Sequence, residues 1–134
     1  HHKEFEGLIA RAIKRPGLFK KARPYQNCVN LSRKLKNCTI LLKGQTDIVC
    51  QGKKCTEIKG GNPGMTKGGT GDVLAGLAAA LYTKNDSWTA AAMASYINKK
   101  AGESLYKRVG PYFNAEDLVR QVPLTLYGII KRNV

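Results

Sequence analysis

Between Gly60 and Gly76 the chain reads Gly-Gly-Asn-Pro-Gly-Met-Thr-Lys-Gly-Gly-Thr-Gly-Asp-Val-Leu-Ala-Gly, and Asp72 is the one carboxylate in it. Six glycines from Gly60 to Gly71 let the backbone come close to a ligand and adopt positive φ without a Cβ penalty. The stretch after Asp72, from Val73 to Leu81, is small, apolar and helix-forming. A helix that opens on Thr70-Gly71-Asp72 turns free N–H groups and a positive dipole end toward the loop, a ready site for phosphate. A carboxylate there would repel phosphate unless it acts on a neighbouring group. An anion hole beside one aspartate therefore reads as phosphoryl-transfer chemistry. The plainer alternative makes Asp72 a first-turn helix residue favoured by the dipole. Two common nucleotide fingerprints are missing. Gly64 to Gly69 is followed by Thr70 and not by lysine, and Gly69-Thr70-Gly71 continues as Asp72-Val73-Leu74. A P-loop kinase and an ordinary dinucleotide-binding dehydrogenase are disfavoured on that ground.

The residues running from Gly61-Asn62-Pro63-Gly64-Met65 into Gly68-Gly69-Thr70-Gly71-Asp72-Val73-Leu74-Ala75-Gly76 resemble the signature of the NAD(P)H-hydrate dehydratases, members of the ribokinase-like superfamily. Leu42-Lys43-Gly44, after Thr39-Ile40-Leu41, is similar to that family's strand-borne Leu-Lys-Gly motif. His1-His2-Lys3-Glu4-Phe5 resembles its Pro-His-x-x-Glu-Phe segment without the proline. The resemblance runs from His1 to about Leu118. It implies the C-terminal portion of a three-layer α/β/α sandwich, forming one domain over residues 1–134. It also implies repair of hydrated NADH and NADPH, dehydrated at the expense of ADP or ATP. On this resemblance Asp72 contacts the hydrated nicotinamide and acts as the base on its hydroxyl. His1 and Asn62 belong to the substrate site, while Gly68, Gly69, Thr70 and Gly71 form the anion hole under the phosphates. Lys43, Gly44, Gln45, Thr46 and Asp47 line the nucleotide site, with Thr46 one position early for the family's hydroxyl. Mg²⁺ would bridge the phosphates, and no residue set forms an all-protein metal site. The first half of the family domain is not in this sequence. A complementary N-terminal segment or chain is therefore an expected partner, and a second copy of this chain a further one.

Composition narrows the alternatives. The 134 residues carry a net charge of +14 and are 43% hydrophobic, enough for a core. Charge is uneven, with 14 Lys/Arg against 4 Asp/Glu in residues 1–59 and 9 against 5 in residues 60–134. Nine basic residues and no acid lie between Arg11 and Lys36. That stretch could bind nucleic acid, form a solvated face, or funnel polyanionic substrates toward a site. Phe19 and Tyr25 are its only aromatics, few for base stacking. The rival functions are thus a small-molecule kinase on the same fold, or a basic nucleic-acid-binding or regulatory module with a vestigial nucleotide site.

Cys28, Cys38, Cys50 and Cys55 lack a metal framework. Cys50 and Cys55 have a hairpin-compatible spacing, but free thiols in a reducing compartment are expected. Three glycosylation-type tripeptides, at Asn30, Asn37 and Asn85, are of a kind that occurs by chance. No run reaches a membrane span and no leader pattern opens the sequence, so a cytoplasmic location without membrane attachment is expected.

The elements that must hold these residues follow from periodicity. Helices are predicted over residues 3–14 and 25–35, the second with Cys28, Val29, Leu31 and Leu35 inward. Strands follow at 38–42, 47–50 and 54–58. The apolar run Thr39-Ile40-Leu41-Leu42 suits a central strand covered on both faces, and Gln51-Gly52-Lys53 turns between the other two. Helices come next over residues 72–82 and, capped by Ser87, to about 106, with Trp88, Met93 and Tyr96 as packing residues. Asn114 caps a last helix that is expected to break near Pro123, leaving 124–130 as an apolar segment packed on the body.

Overall fold

The computed structural model describes residues 23–132, in two compact units divided after Ile58. His1, the helix expected over residues 3–14 and five of the nine basic residues of the basic stretch lie outside the described residues.

In the first unit α1 (Pro24–Lys34) is followed by β1 (Thr39–Leu42), β2 (Asp47–Gln51) and β3 (Lys54–Ile58). The three strands form an antiparallel sheet in the order β1-β2-β3. Pro24 opens α1, where a missing N–H costs nothing, and Arg33 and Lys34 close it against the negative end of its dipole. Cys28 and Leu31 pack on Leu42, Ile48 and Cys50, with Ile40 and Cys55 beside them. These strand positions pair directly with one another or lie two apart on a strand, so one face of the sheet takes the helix. Ser32 ties the unit together. Its hydroxyl donates to the Cys38 carbonyl at 2.6 Å and accepts from the Gly52 N–H at 2.7 Å.

Two expectations need correcting here. Among the described residues β1 pairs only with β2, so β2 is the central strand and buries Asp47 to Cys50, whereas Thr39 to Leu41 are half-buried. Both pairing edges of β2 are used, which the apolar run of β1 did not reveal. Cys50 and Cys55 are not free thiols; they form a disulfide, because the β2–β3 register sets them directly opposite one another. Cys28 and Cys38 are the free cysteines, one buried and one exposed.

The second unit holds a 3₁₀ turn (Pro63–Thr66), then α2 (Thr70–Tyr82), α3 (Ser87–Val109) and α4 (Ala115–Arg132). Helix α3 packs against both α2 and α4, and α2 also touches α4. The core is Met65, Ala101, Leu105, Phe113 and Leu118, with Val73 and Val122 at its margin. The N-cap of α3 is Asp86 rather than Ser87. Its carboxylate accepts from the Trp88 and Thr89 N–H groups at 3.1 Å. Met93 and Tyr96 are exposed, and the buried face of α3 runs through Ala90, Ala94, Ile97, Ala101 and Leu105. Small side chains let helices approach, so the large ones take the outer face. Asn114 caps α4 as expected, in a reciprocal pair with Asp117.

The break at Pro123 does not occur. Helix α4 continues to Arg132, with Leu118, Gln121 and Thr125 inward on both sides of the proline. Pro123 and Val119 both lie on exposed positions, so the carbonyl that loses its helical donor is on the solvent side. None of the described helices is long and apolar enough to cross a membrane.

Candidate functional site

The glycine loop is held by contacts that explain its composition. Gly60 and Gly61 take φ of 108° and 82°, and Gly69, the N-cap of α2, takes 83°. Asn62 accepts the Gly64 N–H on its side-chain oxygen at 3.0 Å and so starts the 3₁₀ turn. A Cβ on Gly64 would stand 2.7 Å from the Phe113 ring, and one on Gly69 would stand 2.8 Å from Ala115. Both glycines are therefore demanded by close approach to the start of α4. Lys67 reaches across to the same segment, donating to the Pro111 carbonyl and, at 2.6 Å, to that of Phe113. Thr70 is buried, and its hydroxyl lies 2.8 Å from the Met65 carbonyl and 2.9 Å from that of Lys67. It ties the loop to the first turn of α2.

By contrast, Gly68 and Gly71 face open space: an added Cβ would meet nothing within 4 Å. Gly71 is the second residue of α2, where the helix offers its N–H no partner. Asp72 follows on the same exposed turn, the one acid there. It lies at the rim of a groove of about 680 Å³ between α2 and α4. The walls are largely apolar, from Val73, Leu77, Val119 and Val122, and Glu116 is the second carboxylate beside it. The side-chain N–H₂ of Asn62 is buried without a hydrogen-bond partner. With its oxygen fixed by Gly64, the orientation of that amide is determined and the donor is left for something else.

Asn62, Gly68, Gly69, Thr70, Gly71 and Asp72 are thus gathered on one loop and one helix turn of the second unit. Lys43, Gly44, Gln45, Thr46 and Asp47 belong to the first unit, on the β1–β2 connection. There Asp47 is buried, and its carboxylate accepts the Gly44 N–H at 2.8 Å, closing the loop on itself. Sequence reasoning missed Lys67, Lys99, Glu103, Phe113 and Glu116. Only the spacing of Lys99 and Glu103, one helical turn apart, could have flagged any of them. The described residues contain no group of three or more His, Cys, Asp or Glu able to hold a metal ion.

Comparison with known proteins now gives this geometry its context. The profile of a family described as NAD(P)H-hydrate dehydratase matches residues 1–124. A bifunctional NAD(P)H-hydrate repair enzyme of Methanocaldococcus jannaschii is 44% identical over 88 residues, 66% of this chain and 18% of that protein. The counterpart in Hyperthermus butylicus is 35% identical over 132 residues, 98% of this chain and 24% of its own. An ADP-dependent (S)-NAD(P)H-hydrate dehydratase of Cenarchaeum symbiosum is 45% identical over 86 residues, 63% of this chain and 30% of its own. The chain thus spans between about a sixth and just under a third of these curated relatives. Among solved structures, Bacillus subtilis YxkO of the UPF0031 family superposes with a TM-score of 0.79 at 21% identity, over 92% of this chain and 47% of that one. That likeness establishes the α/β fold.

Proposed function

Because the chain belongs to the NAD(P)H-hydrate dehydratase family, we propose that it carries the phosphoryl-transfer half of a site that dehydrates hydrated NADH and NADPH, with ADP as the donor. The observation that supports this most directly is the single exposed turn at Gly71-Asp72. It sets the Gly71 N–H, in the first turn of a helix, and one carboxylate side by side at a mainly apolar groove. Hydroxide is a poor leaving group and phosphate a good one. Asp72 accepts the proton of the ring hydroxyl as the hydroxyl oxygen attacks the terminal phosphorus of ADP; the bond from that phosphorus to the bridging oxygen breaks and AMP leaves. Gly68 to Gly71 hold the phosphate oxygens on backbone N–H groups and the helix dipole. The ring nitrogen lone pair then expels phosphate, the C–O bond breaks and a ring proton is lost, restoring the double bond. Asn62 offers its buried amide donor to the substrate. No step here is assigned to Mg²⁺. Lys43 to Asp47 would serve the nucleotide. A segment equivalent to the part of the relatives that this chain does not span would complete the site.

The test is recovery of reduced-nicotinamide absorbance from the hydrate, with ADP, with ATP and with neither, for the chain and its Asp72→Asn variant in the presence of such a segment. Recovery that needs a nucleotide and is lost in the variant supports the reading. Equal recovery by the variant overturns the role of Asp72, and no recovery overturns the activity. Preference for ATP over ADP would correct the donor alone.

A further inference from the structure

The peptide bond between Gly60 and Gly61 is gripped on both sides by one turn of α3. Lys99, 5% exposed, donates from Nζ to the Gly60 carbonyl at 3.2 Å. Glu103 Oε1 accepts the Gly61 N–H at 3.0 Å. The carbonyl and the N–H belong to the same peptide plane, so a cation holds one edge of it and an anion the other. Lys100 donates to Glu103 Oε2 at 2.8 Å and steadies the carboxylate. Gly102, between the two, leaves room for the Met65 sulfur, which also lies beside Gly61.

A Gly-Gly peptide can rotate between alternative orientations at little steric cost, because neither residue has a Cβ to exclude positive or negative φ. Rotation by half a turn here would aim the carbonyl at Glu103 and the N–H at Lys99. Both contacts would then be repulsive, so the clamp selects orientation as well as position. The chain leaves this peptide directly into Asn62-Pro63-Gly64 and, ten residues later, into Gly71 and Asp72. The geometry points to Lys99 and Glu103 as positioning residues that lock one orientation of the Gly60–Gly61 peptide and so aim the loop that carries Asn62 toward its ligand. This rests on the glycine loop being the reactive one, as proposed above, but its primary readout does not.

The experiment follows the Gly61 amide by NMR hydrogen exchange in the complete protein, for Glu103→Ala, Glu103→Gln, Lys99→Met and the double reversal Lys99→Glu with Glu103→Lys. Glu103→Ala and Lys99→Met are expected to speed Gly61 exchange about tenfold or more, as loss of a charge-assisted hydrogen bond predicts, while the Gly64 amide held by Asn62 changes little. Glu103→Gln keeps an acceptor and should restore most of the protection. The reversed pair should instead shift the Gly61 resonance to that of a rotated peptide. In the dehydration assay the same order should appear in kcat, with losses of tenfold to about a hundredfold for Glu103→Ala and KM for nucleotide within about threefold. Unchanged Gly61 exchange in both Glu103→Ala and Lys99→Met overturns the clamp. So does an equal loss of protection in Glu103→Gln and Glu103→Ala. If Glu103→Ala does not fold, Lys99→Met and Glu103→Gln decide. If the wild type dehydrates nothing, the functional reading falls while Gly61 exchange still judges the clamp.

Discussion

Asp72 stands third in α2 on an exposed turn. Asp72→Asn is therefore expected to lower the dehydration rate by the ~10²–10⁴-fold typical of a lost general base, with melting temperature little changed. The spacing of glycines and aspartate was enough to mark this loop as the candidate site from sequence alone. Thr70 was legible as part of the motif, although its hydroxyl turns out to be engaged with the Met65 and Lys67 carbonyls. Lys99 and Glu103 were legible only as a pair one helical turn apart, not as partners of the glycine loop. A side chain that grips a backbone peptide about forty residues away leaves no periodic trace. The cysteines divide by environment. Burial pushes the Cys28 thiol up to about 12, outweighing the Cys50 backbone hydrogen bond that favours the thiolate, with the Cys38 thiol adding to the rise. Cys38 is exposed. A thiol-directed alkylating reagent under native conditions should modify Cys38 and leave Cys28 untouched, as peptide mass mapping would show. Labelling of Cys28 at a comparable rate would contradict its burial.

At the scale of elements, helix ends and packing faces were more legible than interruptions. The capped start of α4 was expected and found; its passage through Pro123 was not. Propensity forbids the proline, but the inward residues on either side hold the helix together, and the missing hydrogen bond lies on the solvent side. Pro123→Ala should accordingly raise stability by about 1–3 kcal/mol in denaturant titration, and a loss would mean that the kink serves packing. On α3 the Lys100–Glu103 pair sets a pH window. Burial alone would raise the Glu103 carboxyl. The hydrogen bonds from Lys100 and Gly61 and the charges of Lys100 and Lys107 outweigh it and hold the group below the usual carboxylate range. Its contribution is thus complete above the unfolded carboxylate range and disappears as pH falls through the lowered value. Lys100 is raised by its hydrogen bond to Glu103, against a small burial effect and with help from the Glu103 and Tyr96 charges. Its share disappears only as pH rises through the lysine range. The melting difference between wild type and Glu103→Gln should be largest near neutrality and shrink on acidification. A difference that stayed constant into strong acid would rule this linkage out.

For the whole molecule, net charge +14 makes polyanions attractive without saying which. Five of the nine basic residues of the densest basic stretch lie outside the described residues, while Arg33, Lys34 and Lys36 are exposed at and just beyond the end of α1. Specific nucleotide binding at the glycine loop uses few phosphate contacts and should weaken only mildly with salt. Nucleic-acid binding over the basic stretch would fall by orders of magnitude between low and physiological salt. Titrating ADP and a short duplex across the same salt range is expected to give a shallow slope for the first and only steep, weak binding for the second. Tight duplex binding in physiological salt would favour the rival module. Fold class was readable through the family resemblance carried by the glycine motif, and the run of three strands followed by helices agrees with the expected elements. Which strand is central was not readable, since that depends on partners and not on the strand's own residues. Leu124, Tyr127 and Ile130 stay exposed along α4, which agrees with a chain that spans under a third of its curated relatives.

Gly64 against Phe113, Gly69 against Ala115 and Lys67 on the Pro111 and Phe113 carbonyls fasten the loop to residues 111–115 at three points. Loop and helix start therefore share one opening equilibrium. Whatever anion stiffens the loop must also slow the fraying of α4. By reciprocity, the affinity of the site is written partly in residues that never meet the ligand.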